Sequence, residues 1–182
     1  MFNENLSSTT INNTNIILNP NIGIGLKQFN GRDTLVLQLL SALQNKTNYT
    51  VQINPLTDCS GNDTSVQTNF TYIIPDEAQQ FDVLIHEIMA DPEPAQRLPN
   101  AEYVELYNRS SNIISLKNWE LADATSRCIL PDYILAPDSF VIITASNQRN
   151  RFNGLSVIGV SNFPSLGNDG EALTLFNAMD IS

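Results

Sequence analysis

Apolar and polar residues alternate in short runs along most of this chain. Asn, Gly, Pro, Asp or Ser interrupts them every roughly 8–12 residues, the rhythm of a sandwich or barrel rather than of helices. In the first part, Thr10–Asn12 and Asn15–Leu18 are short strand candidates, and Asn19–Asn21 supplies a turn. Ile22–Leu26 alternates apolar residues with glycine, and Asn30-Gly31 is a strong turn dipeptide. Thr34–Leu39 has strand length and composition, whereas Leu39–Leu43 suits one helical turn. The most informative stretch is Leu43–Ile53. A leucine six residues before Tyr49, which opens an alternating strand, is the pattern of a tyrosine corner, whose phenol bonds to the chain a few residues upstream. Thr57–Asn62 then reads as a tight loop and Val66–Ile74 as a closing strand. Pro75–Gln80 is short and polar with a leading proline, and is expected to be a linker.

The second part opens on the mostly apolar Phe81–Met89. Glu102–Asn108 alternates strictly, with Val104 and Leu106 facing one way and Tyr103, Glu105 and Tyr107 the other. Ile113–Asp123, Ile129–Pro131, Phe140–Thr144, Ser156–Val160 and Ala172–Phe176 are further strand candidates. The fold class expected is all-β, as two tandem immunoglobulin-like sandwiches: residues 1–74, a linker at 75–80, and residues 81–182.

Two resemblances rest on these motifs. The run from Leu43 to Asn62, with its Tyr49–Ile53 strand and Asp58–Asn62 loop, resembles bacterial Ig-like domains of the surface-layer and fibronectin-like type. Val83–Pro92, Glu102–Asn108, Ile114–Asp123 and Phe163–Leu175, in that order, resemble a lamin tail domain over about residues 82–182. His86 departs from that pattern, which more often has Asn. The resemblances imply that Phe2–Leu6 ends an early strand, that the first module lacks its first strand, and that the second stops short of its last. They also imply an exported, cell-surface or extracellular bacterial protein of several domains, whose lamin tail modules are associated with attachment to membranes or polymers.

Charge narrows the partners. The net charge is −10, from three basic against six acidic residues up to Gln80 and six against thirteen beyond it. Without clustered Lys and Arg to displace counterions, neither nucleic acid nor an anionic membrane surface is an expected partner. No apolar run reaches the length of a membrane helix, and Met1–Asn5 does not open a basic-then-apolar leader, so an export leader is expected to lie outside this stretch. Cys59 and Cys128 fall in different modules and are expected as thiols packed like small hydrophobes, with a disulfide across the boundary as the alternative. The Asn-x-Thr triplets at Asn45 and Asn48 reflect Asn-rich composition.

Candidate chemistry is sparse. His86-Glu87 lacks the second histidine that a zinc protease motif needs, since His86 is the sole histidine. It is expected as a structural, hydrogen-bonded residue sharing a strand face with Asp82. Glu87, Glu102 and Glu105, with Asp91 and Glu93, form the densest carboxylate group, and Asp169 and Glu171 sit in a second loop. Ca²⁺ takes six to eight oxygen ligands, so Asp91, Glu93, Asp169 and Glu171 are the metal candidates, weighed against ordinary solvated loops. No other cofactor is expected. A lone Trp in an Ig-like sandwich is expected in the core, and the alternative makes Trp119, Tyr103 and Tyr107 the ligand-binding candidates, as an aromatic platform for sugar rings joined by Tyr133 and Phe140. The expected role is a non-catalytic accessory, spacer or attachment module working with the rest of its parent polypeptide. A glycan- or protein-binding module of the cell envelope, with or without Ca²⁺, is the alternative, and a fragment of a secreted hydrolase the remote one.

Overall fold

The computed structural model describes residues 15–31, 33–93, 99–168 and 170–179. The chain divides into two units, Met1–Ile74 and Pro75–Ser182. The expected strand at Thr10–Asn12, the early strand ending at Phe2–Leu6, and the last residues from Asp180 lie outside the described residues.

In the first unit, strand β1 (Asn15–Asn19), β2 (Ile24–Asn30), β3 (Thr34–Leu39), β4 (Thr47–Thr57) and β5 (Asp63–Tyr72) form two open sheets, ordered β1-β4-β5 and β2-β3. The period-two alternation sends Ile16, Ile53 and Leu56 from one sheet against Leu35, Leu37 and Ile24 from the other. Asn30-Gly31 turns β2 into β3, with Gly31 at φ +74°, a conformation open to glycine. Leu39–Leu43 forms no helical turn. Leu39 and Leu43 pack separately around Tyr49, and Leu40 N donates to Gly23 O at 2.8 Å.

The tyrosine corner is present. Tyr49 is buried, and its hydroxyl accepts a hydrogen bond from Gln44 N at 2.9 Å. Asn45 completes the crossover: its Oδ1 accepts from Ile74 N at 2.6 Å and its Nδ2 donates to Ile74 O at 3.2 Å. At the far end of the β4–β5 hairpin, Asp58 accepts from Ser60 N and from the backbone and side chain of Asn62. These bonds, the Asn62 side chain first, hold its carboxyl below the ordinary range.

The second unit begins within the segment expected to be a linker. Asp76 N donates to Ile113 O at 2.8 Å, Ile113 N donates to Asp76 Oδ2 at 3.0 Å, and Ala78 packs on the core. Strands β6 (Val83–Met89), β7 (Tyr103–Asn108), β12 (Ser139–Ala145) and β13 (Val157–Val160) build a four-stranded sheet ordered β13-β12-β7-β6. Opposite it lie β9 (Glu120–Ala122), β10 (Arg127–Ile129) and β14 (Thr174–Phe176), ordered β10-β9-β14, with the small pair β8 (Ile114–Ser115) and β11 (Ile134–Leu135). The expected single strand over Ile113–Asp123 is two strands, because Trp119 N bonds back to Leu116 O and Asn118 takes φ +62°. Val104, Leu106, Val141 and Ile143 of one sheet meet Leu121 and Cys128 of the other in a continuous core, joined by Trp119 just before β9.

Asn108 and Thr144 are polar side chains fully inside this unit, and Thr144 Oγ1 donates to Glu102 O at 2.7 Å. Asn108 Nδ2 donates to Asn112 O, Leu135 O and Ala136 O at 2.8, 3.1 and 3.1 Å, and Oδ1 accepts from Ser110 N and Oγ. A buried amide is tolerated because its capacity is used.

Replacing Tyr49 by Phe leaves Gln44 N without its acceptor and is expected to cost the first unit about 1–2 kcal/mol, read as faster amide exchange at Val51 and Ile53. Asn108→Leu strands several buried carbonyls and is expected to cost about 3 kcal/mol or more, read in urea unfolding followed by Trp119 fluorescence.

Candidate functional site

The outward face of the four-stranded sheet carries the chemistry of the second unit. On β7 the alternation places Tyr103, Glu105 and Tyr107 there. On β12, Phe140 pairs with Tyr107 and Ile142 with Glu105. On β6 the ladder runs Leu84 to Tyr107 and Ile85 to Leu106, then skips to Glu87 opposite Glu105. His86 is the extra residue of this bulge, which re-aims side chains at the strand's middle. The bulge therefore brings His86 and Glu87 to the same face as Glu105. His86 Nδ1 lies 2.8 Å from Glu105 Oε1, and Tyr103 OH donates to Glu87 Oε1 at 2.6 Å.

His86 is hydrogen-bonded, as expected, but to Glu105, and its side chain is 50% exposed. Asp82 instead accepts from Gln79 N at 2.9 Å. The imidazole stands edge-on to Tyr107 and Phe140, whose rings stack at 4.4 Å and 17°. Tyr107 OH donates to Asp138 Oδ1 at 2.7 Å; that bond, with burial and the Asp138 charge, raises the phenol above its ordinary pKa.

The segment between β12 and β13 covers one end of this face. A 3-10 turn at Arg149–Arg151 leads to Phe152, which is buried edge-on against Tyr103 at 5.7 Å. Gly159 lies so close beneath the turn that a Cβ would meet Ser146 Cα and Arg149 Cβ at 3.1 Å. The covering segment turns Tyr103 into a core residue, and burial, with Glu87 next, pushes its phenol pKa up. Between this segment and the open part of the sheet runs a groove of about 480 Å³, lined among others by Glu87, Glu105, Phe140, Ile142, Leu155 and Ser156.

The aromatic candidates are thus dispersed. Trp119 lies in the inner core, as expected for a lone Trp in such a sandwich, with half-buried Tyr133 packed against the same core. Tyr103 is buried under Phe152, and Tyr107 alone of the three named residues remains on the open face, partnered by Phe140. Alternation assigned Tyr103 and Tyr107 to one face; nothing local in the sequence told which would be covered. The bulge that adds His86 and Glu87 was equally invisible.

The metal candidates are also separated. Asp91 Oδ1 accepts from Glu93 N at 3.3 Å, and Glu93 Oε1 accepts from Asn100 Nδ2, so these two order their own turn. Glu171 Oε1 accepts from Gly167 N at 2.8 Å in another loop, and Asp169 lies outside the described residues. Glu102 accepts from Leu166 N, away from Glu87 and Glu105. Among the described residues no three Asp, Glu, His or Cys side chains converge as a metal site.

The two thiols differ. Cys128 is buried in the core, where desolvation pushes its pKa up to about 11. Cys59, expected to be packed, is exposed at the β4–β5 hairpin tip.

Two consecutive open β-sandwiches of immunoglobulin-like type define the class of protein. Residues 76–181, more than half of the chain, match the family model described as Lamin Tail Domain, and residues 1–72 match that of a Bacterial Ig-like domain. The chain belongs to the lamin tail domain family, with a bacterial Ig-like domain ahead of it. The family match begins at 76, where Asp76 already bonds to Ile113. No curated protein matches the chain. Among solved structures, a DUF4876 family protein from Bacteroides thetaiotaomicron aligns at 16% identity and a TM-score of 0.30, over 82% of this chain and 48% of its own. The chain thus spans about half of that protein's length.

In the native chain, iodoacetamide is expected to modify Cys59 and spare Cys128, because alkylation needs an accessible thiolate. Mass spectrometry is expected to show one label before unfolding and a second on Cys128 in denaturant.

Proposed function

We propose that this chain is a non-catalytic accessory or attachment segment of a larger bacterial protein that works outside the cytoplasm. The observation that carries the reading is where the second unit's polar side chains are engaged. Asn108 fastens three carbonyls, Glu102 and Glu171 accept backbone amides, and Asp123 caps Thr125 and Ser126. These groups hold loops in place, as a scaffold requires, rather than converging on a reacting centre. His86 and the Glu87–Glu105 pair are the exception. The two carboxylates line a groove open to solvent and His86 bonds to Glu105 from beside it, without a nucleophile bonded to the imidazole among its described hydrogen bonds. Tandem Ig-like modules and the net charge of −10 both suit a surface-borne polypeptide whose partners are proteins or envelope glycans, not nucleic acid.

The test is fractionation of native cells with an antibody to this segment, combined with protease treatment of intact cells and a substrate panel of glycosides, peptides and phosphodiesters. The segment is expected in the envelope or medium, cleaved on intact cells, and silent on the panel. Retention in the cytoplasm, or turnover abolished by His86→Ala, overturns the proposal.

A further inference from the structure

The groove on the outward face of the four-stranded sheet has a definite chemical character. Its charged lining residues are Glu87 and Glu105, both negative, and they stand directly opposite each other in the β6–β7 ladder. Like charges at opposed strand positions destabilise a sheet, so this pairing is a local cost that a bound cation relieves. Each carboxylate has one oxygen engaged, by Tyr103 OH and by His86 Nδ1, which fixes its orientation. Beside them the walls are apolar: Phe140 is 41% and Leu155 47% exposed, so the groove offers an aromatic ring and an aliphatic side chain to a partner. Phe140 is in turn held by its stack on Tyr107 and by the edge of His86.

A pair of oriented carboxylates beside an aromatic ring and an aliphatic wall matches a long side chain with a cationic, planar end. The guanidinium takes carboxylate oxygens through its fork of N–H donors and lies over an aromatic face, while its methylenes need apolar contact. We infer that this groove receives an arginine side chain presented by a basic polypeptide partner. Glu87 and Glu105 take the guanidinium, Phe140 stacks on it, and Leu155 and Ile142 flank the stem. The chain's net charge of −10 adds long-range attraction for such a partner. The inference names a partner for the second unit and stands whether or not the segment works outside the cytoplasm.

The experiment is titration of the full, isotope-labelled chain with argininamide at low and high salt, followed by amide shifts. In parallel, the chain is titrated with Ca²⁺ and with a neutral N-acetylglucosamine trimer. Saturable shifts confined to Glu87, Glu105, Phe140, Leu155 and Ser156 are expected, weakening with salt. The double variant E87Q/E105Q keeps an amide oxygen for Tyr103 and His86. It is expected to bind about tenfold or more weakly, as is Phe140→Leu, with melting curves confirming that both variants fold. Absence of saturable argininamide shifts, undiminished binding in both variants, or binding by Ca²⁺ or the neutral sugar in place of argininamide overturns it. Cytoplasmic retention of the segment bears on the functional reading alone, so the two fail separately.

Discussion

The second unit depends on the burial of one carboxamide. Asn108 closes β7 inside an apolar core, and an amide there is costly unless every bond it can make is made. Satisfying it requires the 108–112 turn and the 135–136 segment to converge on the same point, which fixes where β12 begins. Asp138 N then bonds to Asn108 O, and Asp138 reaches Tyr107. From there the ladder sets Phe140 against Tyr107 and Ile142 against Glu105. The composition of the outward face is therefore a consequence of a polar contact on the inward side.

The same sheet is asymmetric along its length. One end of its outer face is sealed by Phe152 and the 3-10 turn, made possible by Gly159's lack of a Cβ, and there Tyr103 behaves as core. The other end is open, and the β6 bulge crowds a histidine and a second carboxylate onto it. A covered floor next to an open aromatic pair makes a groove, whereas an evenly covered or evenly bare sheet makes none. The groove thus arises from a register irregularity and a crossing segment together.

The first unit follows a simpler logic. Tyr49 ties the crossover to the strand that follows it, Asn45 clasps Ile74, and around Tyr49 the core between the sheets is mostly aliphatic. Its regularity is why so much of it was legible beforehand: the Tyr49 corner, the Asn30-Gly31 turn and the Thr34–Leu39 strand all follow from local spacing and turn chemistry. The failures there and beyond were also local. Leu39–Leu43 has helical composition but is pulled apart by packing around Tyr49. Pro75–Gln80 has linker composition but is recruited by Ile113. Ile134–Leu135 is too short to show any period at all.

By itself the sequence determined the all-β class, the two-module division, the inward and outward sets of β7, and the family motifs, because alternation and turn residues act over a few positions. It did not determine which outward residues stay exposed. Trp119, Tyr103 and Tyr107 share an aromatic character but end in the inner core, under a covering segment, and on an open face. Nor did it place Glu87 beside Glu105, since a bulge is a property of two strands in register, not of one. Those outcomes were decided by tertiary structure, because burial of a side chain is fixed by what crosses over it, and that segment lies tens of residues away along the chain.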